Sequence, residues 1–184
     1  MKLGGLERSL DSLLHVQDLL IAACGTSLFA ASYGAKIMRS LGSFATVQLE
    51  DAAEVVPDSL PTARKHSNGS RTGGICVVSQ SGETKDTHRA LVLGMENDLP
   101  AFSVVNQVGS LIARTTGCGV YLNAGREHAV ASTKAFSTQV RFFLHIFISQ
   151  CHVCAINLMF YVYILMLFMI FDLFVFILSL YLSH

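Results

Sequence analysis

A chain of 184 residues has room for one domain of ordinary size, and 13 basic against 13 acidic side chains leave no net field that would gather nucleic acid. Hydrophobic residues make up 52%, unevenly placed: all 14 glycines lie at or before Gly125, whereas eight of the 12 phenylalanines lie at or after Phe142. The five cysteines suggest no disulfide framework, and the mixed charges of residues 1–18 are unlike a secretory leader, so a reducing, cytoplasmic setting is the expectation.

Leu6, Leu10, Leu13 and Leu14 recur at helical spacing, which predicts an amphipathic helix within residues 1–18 packing on a domain that begins at 19. Leu19-Leu20-Ile21-Ala22-Ala23 reads as a buried strand. It ends in Cys24-Gly25-Thr26-Ser27, and the next helix is rich in small residues (Ala30, Ala31, Gly34, Ala35) that allow close approach to a sheet. Phe44 to Leu49 is a second strand and Glu50 to Val56 a short acidic helical turn. Residues 57–73, with Pro57, Pro61 and the basic run Arg64-Lys65-His66, read as a long surface loop. Gly74 to Val78 is a third strand, running into Ser79-Gln80-Ser81-Gly82-Glu83-Thr84. A helix over Asp86–Asn97 follows, with Leu91, Val92 and Met95 on its inner face. Ala101 to Val105 and Gly119 to Leu122 are the fourth and fifth strands, separated by a short helix over Ser110–Thr116. A segment from Ala129 to Phe136 then opens another helix. Cys24, Cys76 and Cys118 sit in apolar runs, where a free thiol packs as a small hydrophobe.

Strands alternating with helices imply right-handed crossovers and a parallel sheet covered on both faces, an α/β three-layer αβα sandwich over residues 19–148. With a flavodoxin-like order 2-1-3-4-5, the winding direction reverses between the strands ending at Ala23 and Val78. Both strands end in hydroxyl-rich turns that open helices. A helix N-terminus carries N–H groups without intrahelical partners and about half a positive charge, which suits a phosphate. One such turn is equally well read as a helix cap; two at one switch point point to a ligand. The dinucleotide pattern G-x-G-x-x-G and the loop G-x-x-x-x-G-K-[ST] are missing after every strand, so no nucleotide cofactor is expected. Neutral hydroxyl, amide and backbone donors suit a monophosphate ester with a polyhydroxy chain, and no metal site is expected.

These segments also carry a resemblance. Cys24-Gly25-Thr26-Ser27, Ser79 to Thr84, and Asn123-Ala124-Gly125 followed by Val130 to Phe136 resemble the first sugar-isomerase (SIS) lobe of glutamine–fructose-6-phosphate aminotransferases, over roughly residues 10–145. The resemblance implies a flavodoxin-like SIS fold that binds hexose 6-phosphate. Carried over by position, Ser27, Ser79, Gln80, Ser81 and Thr84 would take the phosphate, and Thr26, Val130, Ser132 and Lys134 would face the sugar. It also implies pairing of lobes, as a homodimer or with a second SIS lobe. The sequence departs from the family pattern at Glu127-His128-Ala129, and neither a glutaminase domain nor a second lobe is evident. No residue is therefore assigned a catalytic role, although Glu127 and His128 are acid–base groups near the sugar end. The competing expectations are a sugar-phosphate sensor without turnover and a membrane-anchored SIS protein.

After Lys134 the only Asp, Glu, Lys or Arg residues are Arg141 and Asp172. Val153 to Phe171 is 19 residues long without a charged side chain or histidine, long enough to span a bilayer as a helix. Residues 149–184 are accordingly set apart as a hydrophobic tail, either a membrane helix or non-native read-through. Cys151 and Cys154 have C-x-x-C spacing but no second ligand pair.

Overall fold

The structure is a computed structural model that describes residues 13–40, 42, 44–61, 72–125 and 133–150. Residues 1–147 form one compact unit and residues 148–184 a second, of which the end of the last helix, to Gln150, is described. The helix expected up to residue 12, the basic run at 64–66, Glu127, His128 and the membrane helix expected within 153–171 lie outside the described residues.

Five strands build the first unit: β1 (Val16–Ala23), β2 (Thr46–Asp51), β3 (Thr72–Ser79), β4 (Ala101–Val105) and β5 (Gly119–Tyr121). They pair in parallel in the order β2-β1-β3-β4-β5. Four α-helices connect or follow them: α1 (Thr26–Ser40), α2 (Lys85–Glu96), α3 (Leu111–Thr116) and α4 (Thr133–Gln150). A parallel sheet is covered on both faces, so its central strands must be apolar at successive positions. β1 shows why: Leu19, Ile21 and Ala23 point into one layer, and Leu20 and Ala22 into the other. The first layer holds Ala31, Ala35 and Met38 of α1 with Phe142 and Phe143 of α4. The second holds Ala90 and Leu91 of α2 with Ile112 of α3. This is the three-layer α/β sandwich expected from the alternation of elements.

Glycine sets how closely helices approach. Phe143 lies over Gly34 so tightly that a Cβ there would run into its ring, and Ile75 occupies the corresponding space at Gly94. Phe143 also meets Phe142 edge-on, with ring centroids 5.6 Å apart.

Several boundaries differ from the sequence reading. β1 begins at Val16, which is buried and pairs with Thr72, so residues 16–18 belong to the sheet rather than to a helix over 1–18. The helical turn expected over 50–56 is reduced to a single turn closed by the Glu54 N–H on the Asp51 carbonyl at 2.9 Å. Glu50 and Asp51 continue β2 opposite Ala22 and Ala23, and the Asp51 carboxylate then accepts the Ala53 N–H at 3.0 Å to turn the chain. The stretch read as a loop over 57–73 opens with a 3-10 turn at Pro57–Ser59, and its last two residues already belong to β3. Met95 is exposed. The buried line of α2 is Thr87, Ala90, Leu91 and Gly94, and at 100° per residue Met95 falls about 90° from its centre. Among the described residues no helix is long and apolar enough to cross a membrane.

Candidate functional site

β1 sends the chain to β2 on one side and β3 stands on the other, so winding reverses between β1 and β3, the place where open α/β sheets leave a crevice. The register pairs Ala23 with Val78, so the turns that follow both strands leave the same end of the sheet side by side. They enclose a cavity of about 240 Å³ lined by Cys24, Gly25, Thr26, Ser27, Val78, Ser79, Gln80, Ser81 and Thr84.

Each turn depends on one glycine in the left-handed region, Gly25 at φ +57° and Gly82 at φ +66°, where a side chain is disfavoured. The Gly25 carbonyl accepts the Leu28 N–H at 3.0 Å and so starts α1. The N–H groups of Thr26 and Ser27 therefore precede the first intrahelical bond. Gly82 is fixed from three sides. Its N–H donates to Ser79 Oγ at 3.0 Å, its carbonyl accepts the Ile112 N–H at 3.0 Å, and its Cα lies against the Ser110 side chain.

The hydroxyls have distinct tasks. Ser79 is buried, and its Oγ pairs with Thr84 Oγ1 at 3.1 Å while holding the Gly82 N–H. One proton of that pair is spent on the pair itself and the other remains to donate. Ser81 Oγ accepts the Glu83 N–H at 3.1 Å, which leaves its own proton over. Ser27 is buried at the start of α1, and its Oγ accepts Nε2–H of Gln139 at 2.9 Å. Thr26 is exposed at the rim. The N-termini of α1 and α2 both face this cavity, through Thr26 and Ser27 of α1 and the N-cap Thr84 of α2, and two aligned helix dipoles favour a negative group between them.

The structure thus brings together Thr26, Ser27, Ser79, Gln80, Ser81 and Thr84. Lys134 is exposed in the first turn of α4 and is not part of the cavity lining, whereas Val130 and Ser132 lie outside the described residues. Cys24 differs from the expectation of a small core hydrophobe: it forms part of the cavity wall, half-buried. Its thiol donates to Asp51 Oδ1 at 3.5 Å and accepts Thr87 Oγ1–H at 3.6 Å. Burial pushes this thiol above its ordinary range, the Thr87 hydroxyl offsets part of that, and the Asp51 carboxylate adds to the rise. Cys76, fully buried in the sheet, is pushed up by burial alone. Glu83, at the entry to α2, is engaged elsewhere: its Oε1 accepts the Leu111 N–H at 2.9 Å and fastens the turn to α3.

Two residues escaped the sequence reading. Gln139, 1% exposed, is a polar side chain on the buried face of α4; lying four residues after buried Ala135, it broke an otherwise apolar stripe, and that was its signal. Ser110 is buried, its Oγ has no partner among the described residues, and it backs the Gly82 turn.

Comparison with known proteins agrees with this architecture. Residues 12–149 match the SIS domain family. A probable glutamine–fructose-6-phosphate aminotransferase (isomerizing) of Acanthamoeba polyphaga mimivirus is 41% identical over 125 residues, covering 68% of this chain and 20% of that protein. The Saccharomyces cerevisiae glutamine–fructose-6-phosphate aminotransferase is 39% identical over 138 residues, 74% of this chain and 18% of its own length. The C-terminal domain of glucosamine-fructose-6-phosphate aminotransferase from Francisella tularensis superposes with a TM-score of 0.64 at 26% identity, covering 77% of this chain and 38% of that one. Vibrio vulnificus NanR, solved in complex with ManNAc-6P, shares the fold at a TM-score of 0.58 and 18% identity, over 80% of this chain and 53% of its own. The chain spans about one fifth of the length of the curated relatives it matches. With most of its length matched by the family pattern, the chain belongs to the SIS domain family.

Proposed function

We propose that this chain binds a hexose 6-phosphate at the β1/β3 switch point, as the first isomerase lobe of a glutamine–fructose-6-phosphate aminotransferase-like enzyme of amino-sugar synthesis. The observation that carries the reading is that both hydroxyl-rich turns wall one cavity, with two helix N-termini aimed into it. The phosphate sits against Ser27, Ser79, Gln80, Ser81 and Thr84, and the sugar extends past Thr26 towards Val130, Ser132 and Lys134. Charged-acceptor hydrogen bonds net about 1.5–3 kcal/mol each, so a few converging donors hold a small ester despite its ordering cost. The names of the relatives support the substrate class. Lobe pairing, with a second copy or with a second such lobe in a longer chain, belongs to the same reading.

Thermal-shift and calorimetric titration of the full chain tests it. Fructose 6-phosphate or glucosamine 6-phosphate raises Tm and Ser81→Ala weakens the binding, whereas fructose alone does nothing. An equal response to the unphosphorylated sugar, or none at millimolar ester, would sink the reading.

A second reading, binding without turnover, is favoured by the cavity wall itself. Among the described residues that line it, Cys24 is the only titratable side chain and is held protonated, while the nearby Glu83 is committed to Leu111. Isomerisation needs a positioned base. Incubation with fructose 6-phosphate and ammonia is expected to give no glucosamine 6-phosphate, and robust product would return the chain to the enzymes.

A further inference from the structure

Resting on the phosphate seat proposed above, we infer that Gln139 of α4 is a positioning residue for that seat: its amide orients the Ser27 hydroxyl so that the proton is presented to the ligand. A serine hydroxyl has one proton to give and two lone pairs to receive with. Gln139 Nε2–H occupies one lone pair of Ser27 Oγ at 2.9 Å, from 112 residues further along the chain. The proton therefore cannot point at Gln139. Nor is it lost to the preceding turn: Ser27 is only the second residue of α1, and among the described residues its Oγ makes no bond to the Ala23 or Cys24 carbonyl. Among the described residues no acceptor takes it, and Ser27 lines the cavity.

The burial of Gln139 makes the arrangement costly for anything except positioning. The side chain is 1% exposed, and among the described residues its Oε1 has no partner. A buried bare acceptor lowers stability, and an apolar residue of similar length would fill the same space without that cost. Turning the amide over would consume the Ser27 proton and strand two N–H donors, the less tolerated kind of orphan.

The test is a double-mutant cycle on the full chain, read as Kd for fructose 6-phosphate by calorimetry, with inorganic phosphate as a second probe. Gln139→Met is expected to weaken binding about ten-fold or more while Tm stays level or rises. In a Ser27→Ala background the same substitution is expected to change nothing further, because a residue acting through Ser27 has nothing left to act on. A structural role predicts the same loss in both backgrounds, and that result, or an unchanged Kd in the Gln139→Met single variant, would overturn the inference. Should Gln139→Met fail to fold, Gln139→Glu answers the question. Its carboxylic acid donates to Ser27 as the amide does, and its carboxylate takes the Ser27 proton instead. Relative to wild type at each pH, Kd should then worsen as pH rises from 5.5 to 8.5, and a flat ratio would count against the inference. Wild-type protein that binds neither probe removes the seat itself and this inference with it; wild-type binding with an additive cycle removes the inference alone.

Discussion

Gly82→Ala is the most informative single change, because two independent costs meet there and can be separated. The backbone stands at φ +66°, where an L-residue pays about 1–2 kcal/mol. The added methyl would also run into Oγ and Cβ of Ser110, and overpacking of a closed contact costs about 1–3 kcal/mol. The expected loss is therefore about 2–5 kcal/mol, or a Tm drop on the order of 5–15 °C for a unit of this size. Urea unfolding followed by circular dichroism measures it. The double variant Gly82→Ala with Ser110→Gly removes the collision and keeps the strained φ. Ser110 makes no side-chain cap bond to α3, so the second change gives up little, and the double variant should recover all but about 1–2 kcal/mol. A single variant within 0.5 kcal/mol of wild type, about the scatter of a neutral surface change, would refute the geometry of this turn. A double variant no better than the single would refute the division of the cost.

Gly34→Ala tests the other face of the sheet. Its methyl would displace the Phe143 ring from its place over α1, so a loss of about 1–3 kcal/mol in urea unfolding is expected, and a gain from improved helix propensity alone would contradict the packing. Alkaline pH tests the buried thiols. Unfolded cysteines ionise from about pH 8.5, whereas burial holds Cys76, and to a lesser degree Cys24, protonated in the folded chain above that range. Above pH 8.5 the unfolded state binds fewer protons than the native state, so stability is full below that pH and falls as pH rises. The urea midpoint should decline between pH 8 and 10, and less steeply in Cys76→Ala; identical slopes would show that the thiol is not the cause.

Much of the sheet was legible because parallel strands buried on both faces leave continuous apolar runs. Ile75 to Val78 and Leu19 to Ala23 cannot be satisfied at a surface, and the glycine-hydroxyl turns mark where each run stops. β4 was read to the residue for the same reason. Edges were less legible. Whether Val16 extends a strand or ends a helix is decided by pairing with Thr72, a partner 56 positions away that periodicity does not encode. Met95 was misplaced because Leu91 and Met95 share one helical spacing, and only contact with Ile75 shows that Gly94 is the residue facing the sheet. The six turn residues from Thr26 to Thr84 were readable as candidates because their chemistry is local. What they do with their protons was not, since that depends on Gln139, brought in by α4 from the far end of the domain.

The hydroxyls of the cavity also select the kind of ligand that fits. Ser79, Ser81 and Ser27 each accept one N–H from the scaffold, from Gly82, Glu83 and Gln139 respectively. With a lone pair engaged, Ser81 and Ser27 keep their protons to give, and the Ser79–Thr84 pair keeps one of its two, so three hydroxyl protons remain to donate before any ligand arrives. A cation would find one lone pair of each of these serines already engaged, whereas an anion meets protons and two helix N-termini. Each engaged lone pair narrows the directions open to its hydroxyl proton, which lowers the ordering cost that otherwise weakens small-ligand affinity. No fixed cation is required for this. Among the described lining residues the attraction comes from dipoles alone, whose field depends on the turns holding their shape, and this is why both left-handed glycines and the buried amide behind Ser27 belong to the site as much as the hydroxyls do.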